Sequence, residues 1–343
     1  MSSISVESLN QGDILLYHGK SWISKAIRFF DGTDYNHVSI YMGDHIVAEA
    51  LENGIITQRI DESIKNSEYV SAKRLHNCPL NMDPVMNIVS RYEGKRYAYE
   101  QLLLLAFICI FRKVNLNFAV ARFIKKLLEV SASLLVEFMN ADKQALICSE
   151  FVFRCYDEAI ENDDDPYTIV LQDMHPLSIA KLSKQRNTKQ PAHVYPPSIF
   201  SYFYYTAIYP SSKTKSKHII SFQPVDIHTI PPFNKDHIEP QSELYYLFEE
   251  VKNNYQAQEQ LEKASLDTHL KDALDMFITA QYYTNGIQAS NKSTFNDFNL
   301  EIIKSFYQTN ANFVTPGDLF RAKNLELIGI ISSDPFTDNY RPL

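Results

Sequence analysis

The spacing of apolar positions divides the chain into a strand-rich start, a long helical middle and a mixed remainder. Gly12-Asp13 reads as a turn feeding a short apolar strand, Ile14-Leu15-Leu16-Tyr17. Trp22 to Phe30 then puts Ile23, Ile27 and Phe30 roughly on one helical face. The loop Asp31-Gly32-Thr33-Asp34 delivers the chain into Asn36 to Gly43, where Val38, Ile40 and Met42 alternate as buried strand positions after His37. His45 to Leu51, Gly54 to Arg59 and Tyr69 to Leu75 predict further strands. Asp83 to Tyr92 predicts a helix, followed by the turn Glu93-Gly94-Lys95-Arg96-Tyr97.

From Tyr99 to about Met139 the pattern is helical, uniformly apolar at Leu102 to Phe111 and amphipathic from Phe118 onward. The next helix opens near Cys148 and carries Phe151, Val152, Cys155, Tyr156 and Ala159 on one face. After Asn162-Asp163-Asp164-Asp165-Pro166 the character changes. Tyr195 to Tyr209 is aromatic and proline-bearing, Ser211 to Lys217 is a polar basic loop, and Ile219 to Ile230 alternates weakly, as one strand would. Leu244, Leu247, Phe248 and Val251 mark one amphipathic helix, and Leu266, Leu270, Leu274, Phe277 and Ile278 another. Leu325 to Ile331 reads as an apolar strand, and no internal repeat is visible.

Composition narrows the function classes. The chain has 343 residues, 45% hydrophobic and 22% charged, as an ordinary globular protein would. A net charge of −8 argues against a general nucleic-acid surface or a polybasic anchor. Only 9 glycines occur and no Gly-rich phosphate loop is present, so no nucleotide cofactor is expected. Cys78, Cys109, Cys148 and Cys155 have neither C-x-x-C spacing nor a zinc-like histidine cluster, so no metal is expected either. Met1 to Glu7 lacks a basic start and apolar core, and Leu102 to Phe111 is about half the length of a membrane span. The expected location is therefore cytoplasmic, with signal-independent export as the alternative.

The chemistry gathers at Cys148 and His37. A helix starting near Cys148 aims unpaired backbone N–H groups at its thiol. The helix dipole favours a thiolate by only ~0.3–1 kcal/mol, so an imidazole has to supply the rest. Cys109 and Cys155 read as small core hydrophobes, with Cys155 beneath Cys148 on nearly the same helix face, and Cys78 reads as incidental. His37 stands at the start of an alternating strand, whereas its rival His45 adjoins a hairpin turn and is expected to face solvent. Glu49, flanked by alanines inside a strand, is the candidate to orient the ring. Period-2 geometry sets a condition. A two-residue loop at Gly43-Asp44 pairs His37 with Ala50 and turns Glu49 to the opposite face. A three-residue loop at Met42-Gly43-Asp44, or a bulge, pairs His37 with Glu49.

Gly12-Asp13-Ile14-Leu15-Leu16, His37-Val38-Ser39-Ile40-Tyr41-Met42-Gly43 with Glu49-Ala50, and Cys148-Ser149-Glu150-Phe151-Val152 together resemble a known pattern. It is that of the permuted branch of the NlpC-type papain-like cysteine hydrolases, the YiiX-like group above all. That branch, in which the histidine precedes the cysteine, also includes the lecithin:retinol acyltransferase-like proteins. The resemblance implies Cys148 as nucleophile, His37 as base, Glu49 as orienting residue and Tyr97 as an oxyanion donor beside the Cys148 backbone N–H. It covers about residues 10 to 160, and Phe313 to Leu319 with Asn324-Leu325 also looks like a C-terminal element of YiiX-like proteins.

The fold implied is α+β: a circularly permuted papain-like domain whose antiparallel sheet packs on the Cys-bearing helix. Expected boundaries are 1–165 for that domain with a helical insertion at about 99–140, 166–310 for a mainly helical accessory region, and 311–343 for a segment packing back on the first domain. The expected activity is cleavage of an amide, peptide-like bond through a Cys148 thioester. Two alternatives differ from it. One is lipid acyl ester hydrolysis or acyl transfer, with peripheral membrane contact through 102–126, where Arg112, Lys113, Arg122, Lys125 and Lys126 flank apolar stretches. The other is a bacterial protein delivered into another cell, which the mixed aromatic and Asn/Lys-rich composition fits. A small peptide or acyl substrate is the expected partner, with no nucleic acid.

Overall fold

Six short apolar segments pair into one antiparallel sheet: β1 (Ile14–Gly19), β2 (His37–Gly43), β3 (Ile46–Leu51), β4 (Gly54–Arg59), β5 (Ser67–Leu75) and β6 (Leu325–Ser332). The spatial order is β4-β3-β2-β1-β5-β6, so the N-terminal strands β1 and β2 lie in the middle. In the computed structural model, the structure describes residues 2–51, 54–77, 79, 81–94, 100–112, 114–140, 147–160, 166–172, 199, 223–255, 263–284, 302, 305 and 313–332.

Strand alternation sorts the sheet into two buried faces. Leu15, Tyr17, Tyr41, Val47, Val70, Ala72 and Ile331 cluster on one side with Leu9 and Ile60. Ile14, Leu16, Val38, Ile40, Ala48 and Ala50 alternate onto the other and are equally buried. Residues 2–4 protect the outer edge of β6, where Ile4 N donates to the Ile330 carbonyl (2.9 Å) and Ile330 N to that of Ser2 (3.0 Å).

Among the described residues the helices are α1 (Trp22–Asp31), the single turn α2 (Ile60–Ser63), α3 (Asp83–Tyr92), α4 (Glu100–Phe111), α5 (Phe118–Asn140), α6 (Cys148–Asp157), α7 (Glu243–Asn254), α8 (Lys263–Thr284) and α9 (Pro316–Arg321). Local chemistry explains several ends. The Ser21 hydroxyl accepts from Ser24 N at the start of α1, and Gly32 adopts φ +62° at its end. Thr315 and Asp318 form a reciprocal capping box at the start of α9.

The chain divides into two compact units, Met1–Leu104 with Leu146–Met174 and Val314–Leu343, and Leu105–Ala145 with His175–Phe313. The first holds the sheet. In the second, α5 packs against α7 and α8. There Arg122 pairs with Glu250 (3.1 Å), Lys126 with Glu243 (2.6 Å), and the Thr284 hydroxyl donates to the Leu135 carbonyl (3.0 Å).

Two expectations change. The helical run from Tyr99 is interrupted at 114–117, where Asn117 caps α5 by accepting from Val120 N (2.9 Å). The weak strand at Ile219 to Ile230 is absent from its described part, which holds a 3-10 turn at Ile227–Thr229. Cys78, Tyr97, Ser211 to Lys217 and, apart from Ile199, Tyr195 to Tyr209 lie outside the described residues. Among the described residues no helix is long and apolar enough to cross a membrane.

Candidate active site

β2 carries His37 as its first residue, directly opposite Tyr17 of β1. The preceding Asn36 fixes that start: its side-chain oxygen accepts from Gly19 N (2.7 Å) and its own N donates to the Tyr17 carbonyl (3.1 Å). The hairpin from β2 to β3 then settles which way Glu49 faces. Its turn is two residues long, centred on Asp44 (φ +50°) and His45 (φ +62°), with a register shift between Tyr41 and Gly43. Gly43 takes φ +96° beside that bulge, a conformation a side chain would strain.

The extra residue at Met42 changes the strand's parity. Ser39 pairs with Glu49 and Tyr41 with Val47, which puts Glu49 on the His37 face, one diagonal step away. The loop therefore sits one residue later than expected, and the direct partner of Glu49 is Ser39. His37 Nε2 lies 2.7 Å from Glu49 Oε2, both side chains being buried.

The surroundings hold this pair in one geometry. Gln58 on β4 donates to the second carboxylate oxygen of Glu49 (2.5 Å). The Tyr17 ring meets the imidazole edge-on at 5.1 Å, and its hydroxyl shares hydrogen bonds with Ser39 Oγ and Ser63 Oγ, each at 2.7 Å. Burial alone would raise the Glu49 pKa. The hydrogen bond and charge of His37, with bonds from Gln58 and Ser63, outweigh it and hold the carboxyl below its ordinary range. Burial also pushes the Tyr17 phenol well above its usual range, so it stays neutral. Gln58, Tyr17, Ser39 and Ser63 were not singled out from sequence. The faint signal for Ser39 was its place two residues after His37 in an otherwise apolar strand.

Cys148 is the first residue of α6, after Ile147 in an extended conformation. The N–H groups of the first turn, Cys148 among them, precede the first intrahelical bond, which runs from Phe151 N to the Ile147 carbonyl (2.9 Å). α6 packs against β2 and β3, the strands of His37 and Glu49. Its far end is tied down where the Tyr156 hydroxyl donates to the Gly12 carbonyl. Gly12 in turn donates its N–H to the Tyr41 carbonyl (2.8 Å). Gly12 adopts φ +89°, a conformation in which a side chain would be strained.

Cys148 and His37 are both buried, at 0% and 5% exposure. Glu150, also in the first turn, pairs with Arg154 (2.6 Å); burial nevertheless pushes its pKa up. Cys109 and Cys155 are fully buried, and burial drives both thiols far above the ordinary range. His45 is half-buried in the turn, and His76 is exposed beside Glu326 (2.5 Å). Among the described residues no group of three or more His, Cys, Asp or Glu side chains is placed to hold a metal ion.

No family model matches the chain. Over 162 residues it is 24% identical to the probable lipoprotein peptidase YaeF of Escherichia coli strain K12, a match covering 46% of this chain. The match spans 59% of YaeF's length. The crystal structure of the metalloprotein YiiX from Escherichia coli O157:H7 aligns with 56% of this chain and 91% of its own, at 21% identity and a TM-score of 0.30. The chain is thus similar, at low identity, to proteins of the YaeF/YiiX group.

Proposed function

We propose that the protein is a cysteine hydrolase of permuted papain-like fold that cleaves an amide, peptide-like bond with Cys148, His37 and Glu49. The observation that carries this reading is the buried 2.7 Å bond between His37 Nε2 and Glu49 Oε2, on the strands against which the Cys148 helix packs. A carboxylate on Nε2 fixes the tautomer and directs Nδ1 to proton exchange. Two lengths support a thiol level with that ring. α6 rises about 12 Å from Cys148 to Tyr156, and β2 runs about 13 Å from His37 to Tyr41. Their Tyr156 and Tyr41 ends meet at Gly12.

In this scheme His37 takes the Cys148 proton and the thiolate attacks the carbonyl carbon of the amide. The oxyanion forms against the backbone N–H of Cys148, at the positive end of α6. Tyr97 is proposed as a further donor to it. The C–N bond breaks as His37 protonates the leaving amine, which leaves a thioester on Cys148. Water attacks the thioester, giving its proton to His37, and a carboxylic acid departs.

An amide is favoured over a lipid ester by the burial of Leu102 through Ile110, which offers no apolar face to a bilayer. Arg122 and Lys126, two of the five cations invoked for membrane contact, are engaged by Glu250 and Glu243. The name of YaeF, a probable peptidase, agrees with this choice. The test is turnover of a library of short peptide amides by the full chain. Activity should vanish in Cys148→Ala and His37→Ala. Cleavage of acyl esters alone, or activity surviving in Cys148→Ala, overturns the proposal.

A further inference from the structure

Four consecutive residues near the end of the described chain touch both segments that carry the proposed chemistry. Ser149, next to Cys148, donates its hydroxyl to the Val314 carbonyl (2.6 Å) in a fully buried bond. Three residues on, Gly317 N donates to Asp31 Oδ2 (3.0 Å), also buried. Asp31 ends α1 and stands six residues before His37. Val314 to Gly317 therefore spans from the helix of the thiol to the segment that feeds the imidazole strand.

The stretch is stiff. Thr315 Oγ1 accepts from Asp318 N (3.1 Å), Asp318 Oδ2 accepts from Thr315 N (3.0 Å), and Pro316 between them fixes its own φ. Thr315 and Asp318 are 0% and 4% exposed. Arg321 stands beside both Asp31 (3.8 Å) and Asp318 (3.5 Å), and Lys73 of β5 donates to the Phe320 carbonyl. Gly317 is required for the approach, since a Cβ there would lie 2.6 Å from Asp31 Oδ2.

We propose that Val314–Asp318 is a positioning strap that sets the separation of Cys148 and His37, with Thr315, Gly317 and Asp31 as positioning residues. It acts through its bonds to Ser149 and Asp31 and touches no substrate. The inference rests on the Cys148–His37 reading. A thiol and an imidazole exchange a proton only over a narrow range of separation, and a shift of ~1 Å costs about a hundredfold.

The test compares full-length wild type, Thr315→Val, Thr315→Ser and Gly317→Ala by thermal midpoint and by the rate of Cys148 alkylation with iodoacetamide from about pH 5 to 9. All rates are taken well below the lowest midpoint. Thr315→Val and Gly317→Ala should lose about tenfold or more of the alkylation rate at the acid end. Thr315→Ser, which keeps the capping hydroxyl, should match wild type. If either variant fails to fold, Ser149→Ala replaces it, and the same acid-end loss is expected. Lower midpoints with an unchanged pH profile overturn the strap as a positioning device. A wild-type profile that does not depend on His37 instead overturns the Cys148–His37 reading itself.

Discussion

The two ends of α6 carry the same side chain in different settings. Cys148 and Cys155 are seven residues apart, equally buried and outside any disulfide. Cys155 sits two turns into the helix, where burial and the charge of Glu158 push its thiol far upward. Cys148 sits at the first turn, where backbone N–H groups have no helical acceptor and the helix lies along the strands of His37 and Glu49. Burial alone thus says nothing about the role of a cysteine. Their places on the helix set the two apart.

The largest expected effect separates the two thiols outright. Cys148→Ser should abolish turnover. Cys155→Ala should keep it and lose about 1–3 kcal/mol of stability, read by denaturant unfolding, because it opens space in a packed core. Glu49→Gln comes next. Gln58 already donates to one oxygen of residue 49, so the new amide would offer its own N–H to His37 Nε2 and force the proton onto Nδ1. Activity should fall about 10²–10⁴-fold with the fold intact, measured as kcat on a cleaved peptide.

The elements that carry the candidate residues were legible in the chain because each had a local cause. A histidine opening an alternating strand, a carboxylate inside another and a cysteine after a polar break all lie where period and punctuation put them. The register was not legible. One bulged residue at Met42 moves the turn to Asp44-His45 and gives Glu49 the partner Ser39, and nothing in Tyr41-Met42-Gly43 announces it. Gln58 and Ser63 reach Glu49 only once that register is set, so they could not be found from spacing. The bonds from Ser149 to Val314 and from Gly317 to Asp31 are set by tertiary packing, with no local trace.

Acid sharpens the comparison more gently. The Glu49 carboxyl is held below its ordinary range in the folded chain, so it stabilises the fold above the usual carboxylate pKa. That contribution is lost as pH falls through the folded value. Wild type should therefore lose thermal stability on acidification more steeply than Glu49→Gln.

The smallest effect concerns Lys73, whose burial brings its amine down to about 8. The unfolded chain holds that proton more tightly, so stability rises with pH between about 8 and the ordinary lysine value. Lys73→Met should abolish that rise, seen as a melting temperature that no longer climbs across the window.

The central claim is that Cys148 works with His37, and the pH dependence of its alkylation tests this most directly. With the modified cysteine mapped by mass spectrometry, wild type should react at Cys148 down to about pH 5.5 while Cys155 stays unmodified. His37→Ala should lose the reaction at the acid end and regain it only in the range of an unassisted thiol. Identical profiles for the two proteins, or preferential modification of Cys155, would contradict the account.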